Sequence, residues 1–301
     1  MLRNFMEVLD KAKRAGRQTI SVAAAQDKDV LHAVKAAQVA GLAQAILVGD
    51  ADLIKPLLGE VGLPSDTPIV HEPEDSKAAM TAVSLVKTGK AQILMKGLVN
   101  SSDFLKAVVN KEVGLRTGRL LSHLSVYEVP GGKKLIFLTD SGMNVAPNQE
   151  EKKDILVNAI MAASVLAIER PKVAVLAASE IVNPKIQATV DAKALADMYR
   201  QGEFPPAIVE GPIAMDVALN AEHAKHKGLT SEVAGDVDIF MIPNIEAGNI
   251  LSKALIHYAN FKNAGVVIGA THPVVMVSRA DSAEAKLYSI ALACLLAGAK
   301  Q

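Results

Sequence analysis

The sequence predicts an α/β protein built as two doubly wound α/β domains with a cleft between them. Short apolar runs alternate with helix-length segments along most of the chain, the pattern of parallel strands joined by helical crossovers. The chain has 301 residues, at or beyond the roughly 250–300 residues at which single cores stop growing. From Leu120 the rhythm also changes to two β-rich runs around Pro130-Gly131-Gly132, and the alternation resumes after TDSGMNVAPN, which puts a boundary near Asp140. The expected division is residues 1–139 with 281–301 as a first domain and 140–280 as a second.

The elements follow in order. Leu2, Phe5, Met6 and Leu9 recur at helical spacing and TISVAAA reads as a short buried strand. Asp27 is placed to cap an Ala/Val-rich helix that stops at Gly41, and AILVG (45–49) is the next strand. A helix over 51–61, a strand at PIVHE, a helix from Asp75 to Lys87, a strand at QILMKG and a helix from Ser102 to Lys111 continue the series. LLSHLSVYEVP and KKLIFLTD around the Pro-Gly-Gly turn predict an antiparallel hairpin or a sheet extension. Then come a helix over 149–168, the strand KVAVLAAS, a helix through Leu195 and Tyr199, the strand AIVEG, a helix from Ile213, the strand DIFMIP and a helix over 245–259. The stretch from Gly265 offers apolar runs broken by His272-Pro273 and ending in Ser278-Arg279; a last helix over 281–297 is expected to return to the first domain.

Composition narrows the function classes. Lys plus Arg (32) equals Asp plus Glu (32), so no net field attracts a polyanion or an acidic membrane. With no Trp, four Tyr and six Phe there is little material for stacking bases, and nucleic acid is not expected as a partner. The N-terminal MLRNFMEVLDKAKR lacks an apolar signal region, and no apolar segment is long enough to span a bilayer. The reading is a soluble, cytoplasmic protein. The lone Cys294, inside SIALACLLA, reads as a buried core thiol rather than a reactive one.

Familiar site motifs are missing: no Gly-x-Gly-x-x-Gly follows the first strand, no P-loop occurs, and there is no Gly-x-Ser-x-Gly nucleophile elbow. His223 and His226 share a helix face but sit in the solvated, charged stretch EHAKHKG, and no metal site is expected. What remains is a set of polar loops at the carboxyl ends of predicted strands, where open α/β sheets bind ligands. They are Lys96–Ser101, Asp140–Asn144, Ser179–Pro184, Glu210–Pro212, Pro243–Asn249 and Ser278-Arg279. Helix amino termini after such loops suit phosphate and carboxylate groups.

Taken together, MKGLVNSSDFLKAV, LTDSGMNVAPN, VEGPIAMDVAL, PNIEAGNILSKAL and PVVMVSRADSAEAKLYSIAL, in this order and spacing, resemble the phosphate acetyl- and butyryltransferase family, and its butyryltransferase branch most. The resemblance runs from about residue 90 to the C-terminus. It implies a fold related to the isocitrate and isopropylmalate dehydrogenases, with two α/β domains and a cleft. It also implies a homodimer or larger homo-oligomer and reversible acyl transfer between CoA and inorganic phosphate, with CoA as substrate and no cofactor or metal. Ser278 and Arg279 match the family's catalytic pair. Arg279 suits phosphate because its planar fork donates two parallel hydrogen bonds; Ser278 can donate to the tetrahedral oxyanion.

Two departures from the family pattern matter. Ala285 stands where the acetyltransferases carry an Asp proposed as the base for the CoA thiol, leaving Asp281 or Glu284 for that role. Asp281-Ser282-Ala283-Glu284 is equally an Asp-x-x-Glu capping pattern. His257 aligns with an arginine near phosphate. A further family arginine falls on Arg116 or Arg119, between which the sequence does not choose. Lys96, Gly97, Asn100, Ser101, Asp140, Asn144, Gly211, Gly248 and Asn249 complete the expected set for phosphate and CoA. The alternatives are a phosphate acetyltransferase or a non-catalytic CoA- or acyl-phosphate-binding regulator.

Overall fold

The structure, a computed structural model, describes residues 2–278 and 281–298. From the N-terminus, α1 (Phe5–Ala15) leads into β1 (Gln18–Ala23), α2 (Lys28–Val39), β2 (Ala43–Gly49), α3 (Ala51–Val61) and β3 (Ile69–His71). These are followed by α4 (Asp75–Lys87), β4 (Ile93–Lys96) and α5 (Ser101–Val108). Local chemistry sets the boundaries. Asp27 accepts the Val30 N–H at 3.0 Å to start α2, and Gly62 ends α3 at φ 74°, a left-handed position that glycine adopts at little cost. The strands β1, β2, β3 and β4 pair in parallel, as the alternation predicts.

The chain continues with β5 (Ser122–Glu128) and β6 (Leu135–Thr139), then α6 (Gln149–Val165), β7 (Lys172–Leu176), α7 (Gln187–Arg200), β8 (Ile208–Ile213), α8 (Met215–Leu219), α9 (Ala221–His226), β9 (Ile239–Met241) and α10 (Ile245–His257). The expected hairpin forms: β5 and β6 are antiparallel. The other pairs, β6 with β9, β9 with β7 and β7 with β8, are parallel. Asn148 and Glu151 close a reciprocal capping box on α6.

The last elements are β10 (Lys262–Ile268), β11 (Val274–Val275) and α11 (Ala283–Gly298). Antiparallel pairing of Val267 with Val274 folds β11 back on β10, and β11 then runs parallel to β4. The last helix, α11, packs on α1 and α2, with Tyr288 stacked on Phe5 at 4.3 Å between ring centroids.

The chain falls into two compact units, Phe5–Arg119 with the segment from Ala264, and Leu120–Asn263 with the segment up to Asn4. The sequence reading puts the changeovers at 139/140 and 280/281. The hairpin groups with the central segment because β6 pairs with β9, and 264–278 groups with the outer one because β11 pairs with β4. Within the outer unit the strand order is β3-β2-β1-β4-β11-β10, and within the central unit β5-β6-β9-β7-β8. Val22, Leu47, Ile93, Leu94 and Met95 form the dry centre of the first, and Tyr127, Leu138, Ala174, Phe240 and Ile242 belong to that of the second. No helix among the described residues is long and apolar enough to cross a membrane.

Candidate active site

In the outer unit, Val275 of β11 lies opposite Met95 of β4 in parallel register. The chain therefore leaves both strands at the same carboxyl edge, which brings the Lys96–Ser101 loop and the 276–278 stretch side by side. Gly97 explains the shape of the first loop. Its N–H bonds Ala23 O at 2.8 Å and the next N–H bonds Ala24 O at 2.7 Å. A Cβ on Gly97 would lie only 2.3 Å from Ala24 O. Asn100 caps α5, its amide oxygen accepting the Asp103 N–H and the Ser102 hydroxyl at 2.8 Å each. Ser101 opens that helix as an exposed residue, and Lys96 is half-buried, with Nζ 3.4 Å from Gly97 O.

The segment carrying Arg116 and Arg119 is pinned to the turn between β10 and β11. Arg116 makes an isolated bridge with Ala270, Thr117 donates to Gly269 O at 2.6 Å, and the Thr271 N–H donates to Leu115 O at 2.8 Å. Arg116 is exposed and Arg119 half-buried, so both guanidinium groups remain candidates.

Ser278 is exposed, and its backbone N–H donates to Asp281 Oδ2 at 2.8 Å while the Asp281 N–H returns a bond to Ser278 O at 3.1 Å. This closed turn corrects the capping expectation. Asp281 ties down Ser278, and it is Ser282 that caps α11, its hydroxyl accepting the Ala285 N–H at 3.1 Å. Glu284 accepts a hydrogen bond from the Tyr288 hydroxyl, and Ala285 is buried. Arg279 lies outside the described residues.

The central unit has its own edge. Thr139, Met241 and Val175 stand abreast on β6, β9 and β7, so the loops after these strands emerge together. Asp140, 2 % exposed, organises the first. Oδ1 accepts the N–H groups of Gly142 and Met143 at 2.9 Å each, and Oδ2 accepts those of His123 and Asn144 and the Asn144 side-chain amide at 2.6 Å. The amide of Asn144 also donates to Leu121 O at 2.9 Å. Both residues hold the loop through its own backbone. Gly248, in the first turn of α10, packs on this loop: a Cβ there would meet Ser141 Cα at 2.8 Å and Asp140 O at 2.9 Å. Asn249 is exposed beside it.

Two expected residues sit apart from that cluster. Gly211 lies inside β8, where its missing side chain lets the strand approach Val175 Cβ, 2.8 Å from where a Cβ would be, and Ala192. His257 is exposed in the last turn of α10, eight positions and about 12 Å of helix rise from Asn249. Conversely, His123 enters a site the sequence reading gave it no part in. Its ring Cγ would be 3.4 Å from a Cβ on Gly142, and Nδ1 is 3.3 Å from Ser125 Oγ, itself 3.0 Å from Ser141 Oγ. The signal was present in LLSHLSV, since residues two apart on a strand share a face.

A cavity of ≈ 710 Å³ opens near this edge, lined in part by Asn148, Gln149, Lys152, Asp191 and Asn244, within the size range of small-molecule sites. The Lys152 ammonium and the Asp191 carboxylate pair in it at 2.6 Å, 5 % and 4 % exposed. Burial raises the Asp191 carboxyl, but hydrogen bonds from Lys152, Gln187 and Gln149 outweigh it and hold the group below its ordinary range. Among the described residues no cluster of three His, Cys, Asp or Glu side chains could hold a metal ion. Cys294 is fully buried, its Sγ 3.7 Å from Leu42 O, and burial pushes the thiol up to about 12, as expected of a core thiol.

Comparison with known proteins agrees with these features. Residues 64–294 match the family described as phosphate acetyl/butaryl transferase. The chain is 48 % identical over 301 residues to a phosphate butyryltransferase of Clostridium acetobutylicum, covering 100 % of both chains. Among solved structures, a branched-chain phosphotransacylase from Enterococcus faecalis superposes with a TM-score of 0.82 at 34 % identity, covering 93 % of this chain and 99 % of the other. A 4-hydroxythreonine-4-phosphate dehydrogenase from Klebsiella pneumoniae, 15 % identical with a TM-score of 0.58 over 93 % of this chain and 99 % of its own, shares the fold alone. It supports the expected kinship with the dehydrogenase-like folds.

Proposed function

The chain belongs to the phosphate acetyl/butyryl transferase family, and we propose that it is a phosphate butyryltransferase, moving a short acyl group between CoA and inorganic phosphate. The similarity to a phosphate butyryltransferase along the whole chain carries this reading. The adjacency of the Gly97 loop and the Ser278 stretch at one sheet edge is consistent with it.

The reaction passes through a tetrahedral oxyanion between a thiolate and a phosphate oxygen, so a site must hold two anionic substrates together and supply donors to the oxyanion. In this reading Ser278 donates its hydroxyl to the oxyanion. Asp281 positions Ser278 through the 2.8 Å bond from its backbone N–H, and Arg279 binds phosphate. Arg116 or Arg119, Lys96 and the N-terminus of α5 add positive potential on the same unit. The Asp140–Asn144 loop, braced by Gly248, presents a rigid backbone to CoA. His257, at the far end of α10 from Gly248, is the weakest member of the set. The enzyme works as a cytoplasmic homodimer or larger homo-oligomer without metal or prosthetic group.

The test is thiol release by purified protein from butyryl-CoA and acetyl-CoA, with and without phosphate. Phosphate-dependent release, faster with butyryl-CoA, is the expected result. Release that ignores phosphate, or none, refutes the transferase reading, and a preference for acetyl-CoA refutes the butyryl assignment.

A further inference from the structure

The face of the central unit that carries α8 and α10 is apolar and largely exposed. Of the 13 residues of α10 only Gly248 is buried, whereas α7, with 14 residues, buries Thr189, Asp191, Ala192, Leu195 and Ala196. On the core side of α10, Leu251, Leu255 and Ile256 are only partly covered. On its outer side Ile250 is 71 % exposed, and Tyr258, just past the helix, is 91 % exposed. Between α10 and α8 opens a cavity of ≈ 350 Å³, lined in part by Met215, Leu219, Phe240, Leu251 and Leu255, and Leu219 itself is 58 % exposed. We propose that this face binds a second copy of the chain, with α10 lying antiparallel to its own counterpart across a two-fold axis. The inference rests on the homo-oligomer of the reading above and not on its transfer chemistry.

Two features select a second copy over a different partner. The first is the seam. Ala247, Ile250, Leu251, Ala254 and Tyr258 recur at the three- and four-residue spacing of helix-on-helix contacts, and small residues at 247 and 254 let a facing helix come close. With the axis between Ile250 and Leu251, each of these alanines stands opposite the other on the second copy, so the seam is its own complement. The second feature is charge. Glu246 and Lys253 are exposed, seven residues apart on one flank of the seam, and neither has an ion-pair partner among the described residues. In the antiparallel arrangement Lys253 of the second copy comes within two residues of the level of Glu246, about 3 Å along the helix, and the two-fold axis repeats the pair. A parallel arrangement would set Glu246 on Glu246 and Lys253 on Lys253, like charges together.

The seam and the cavity supply the affinity, because apolar surface leaves water there. The exposed ion pairs set direction more than strength. A two-fold contact closes on itself and stops at a pair, so a larger assembly would need a second surface.

The test is analytical ultracentrifugation over a dilution series. Wild type should sediment at twice the mass of one chain or an even multiple of it. Ile250→Glu, which places a charge beside the axis, should raise the dimer Kd about 100-fold or more with the circular dichroism spectrum unchanged; Tyr258→Glu is the second variant should the first not fold. Glu246→Lys and Lys253→Glu should each weaken the pair about tenfold, and the two together in one chain should return it to within about threefold of wild type. A monomeric wild type overturns both this interface and the homo-oligomer of the reading above. An odd-numbered oligomer, one that Ile250→Glu and Tyr258→Glu leave intact, or charge reversals that do not compensate overturn this interface alone. Thiol release from butyryl-CoA by the same samples reports the transfer chemistry separately.

Discussion

Replacing Gly97 by Ala offers a direct measure of how tightly the candidate site is built into its sheet. The added methyl would stand 2.3 Å from Ala24 O and 2.6 Å from Ala23 O, where ordinary contact begins at 3.4 Å. Neither oxygen can swing away, because each is backbone and each accepts a loop hydrogen bond, from Leu98 N at 2.7 Å and Gly97 N at 2.8 Å. Relief requires breaking both bonds, at about 1 kcal/mol each, and spreading β1 from β4, which as overpacking costs about 1–3 kcal/mol. The sum is about 3–5 kcal/mol, a large part of the 5–15 kcal/mol typical of whole domains. Gly59→Ala is the matched control: it lies within α3 with nothing within 4 Å of a new Cβ, so it should stabilise by up to about 1 kcal/mol. Urea unfolding followed by circular dichroism measures both. A Gly97→Ala protein within about 0.5 kcal/mol of wild type would refute the steric reasoning.

Other outcomes follow from the same contacts. Asp191→Asn strands the Lys152 ammonium in a buried site and should cost about 3–5 kcal/mol, whereas replacing both partners by apolar residues should recover most of it in the same unfolding assay. Because the folded Asp191 carboxyl lies below its ordinary 3.8, its contribution is complete above that value and is lost as pH falls through the lower folded one. Unfolding at pH 7 and pH 5 should therefore show the same Asp191→Asn difference, and a difference that shrinks by pH 5 contradicts the assignment. Cys294, with its thiol near 12, should resist iodoacetamide at pH 8 until the protein unfolds; labelling at the rate of a free thiol would contradict its burial. Ser278→Ala should lower kcat by about 10²–10³ with little change in KM if its hydroxyl serves the oxyanion, and Arg279→Ala should raise the KM for phosphate or lower kcat. Steady-state kinetics with varied phosphate separates the two.

The parallel core was legible because its signals are local. Asp75–Lys87 is helical over the predicted span, Asp27 caps where expected, and the Pro-Gly-Gly turn joins an antiparallel pair. What escaped depends on partners distant in sequence. Two residues, Val274 and Val275, are too few to show a period, and they become a strand by pairing with β4. That pairing moves 264–278 to the outer unit. Asp281 and Ser282 are both competent caps on paper, and the turn back to Ser278 decides between them. Gly211 reads as a loop residue but lies within β8, because its small size serves strand packing. His123 gains meaning only once β5 lies against β6 and sets its ring over Gly142.

The order in which the pieces leave the ribosome is unlike the order in which they pack. Leu120–Asn263 is one continuous stretch and can fold as soon as it emerges. The Phe5–Arg119 segment is made first, yet β11 beside β4 and α11 against α1 and α2 come from beyond residue 263. At about 5–20 residues per second, the 179 residues from 119 to 298 take roughly 9–36 s to synthesise. For most of that time the edge of β4 lacks its neighbour, and the apolar side of α1 that includes Phe5 lacks Tyr288. A growing chain in this state is the form most in need of a chaperone, and a truncation before α11 should leave an aggregation-prone product even though every residue of the earlier strands is present.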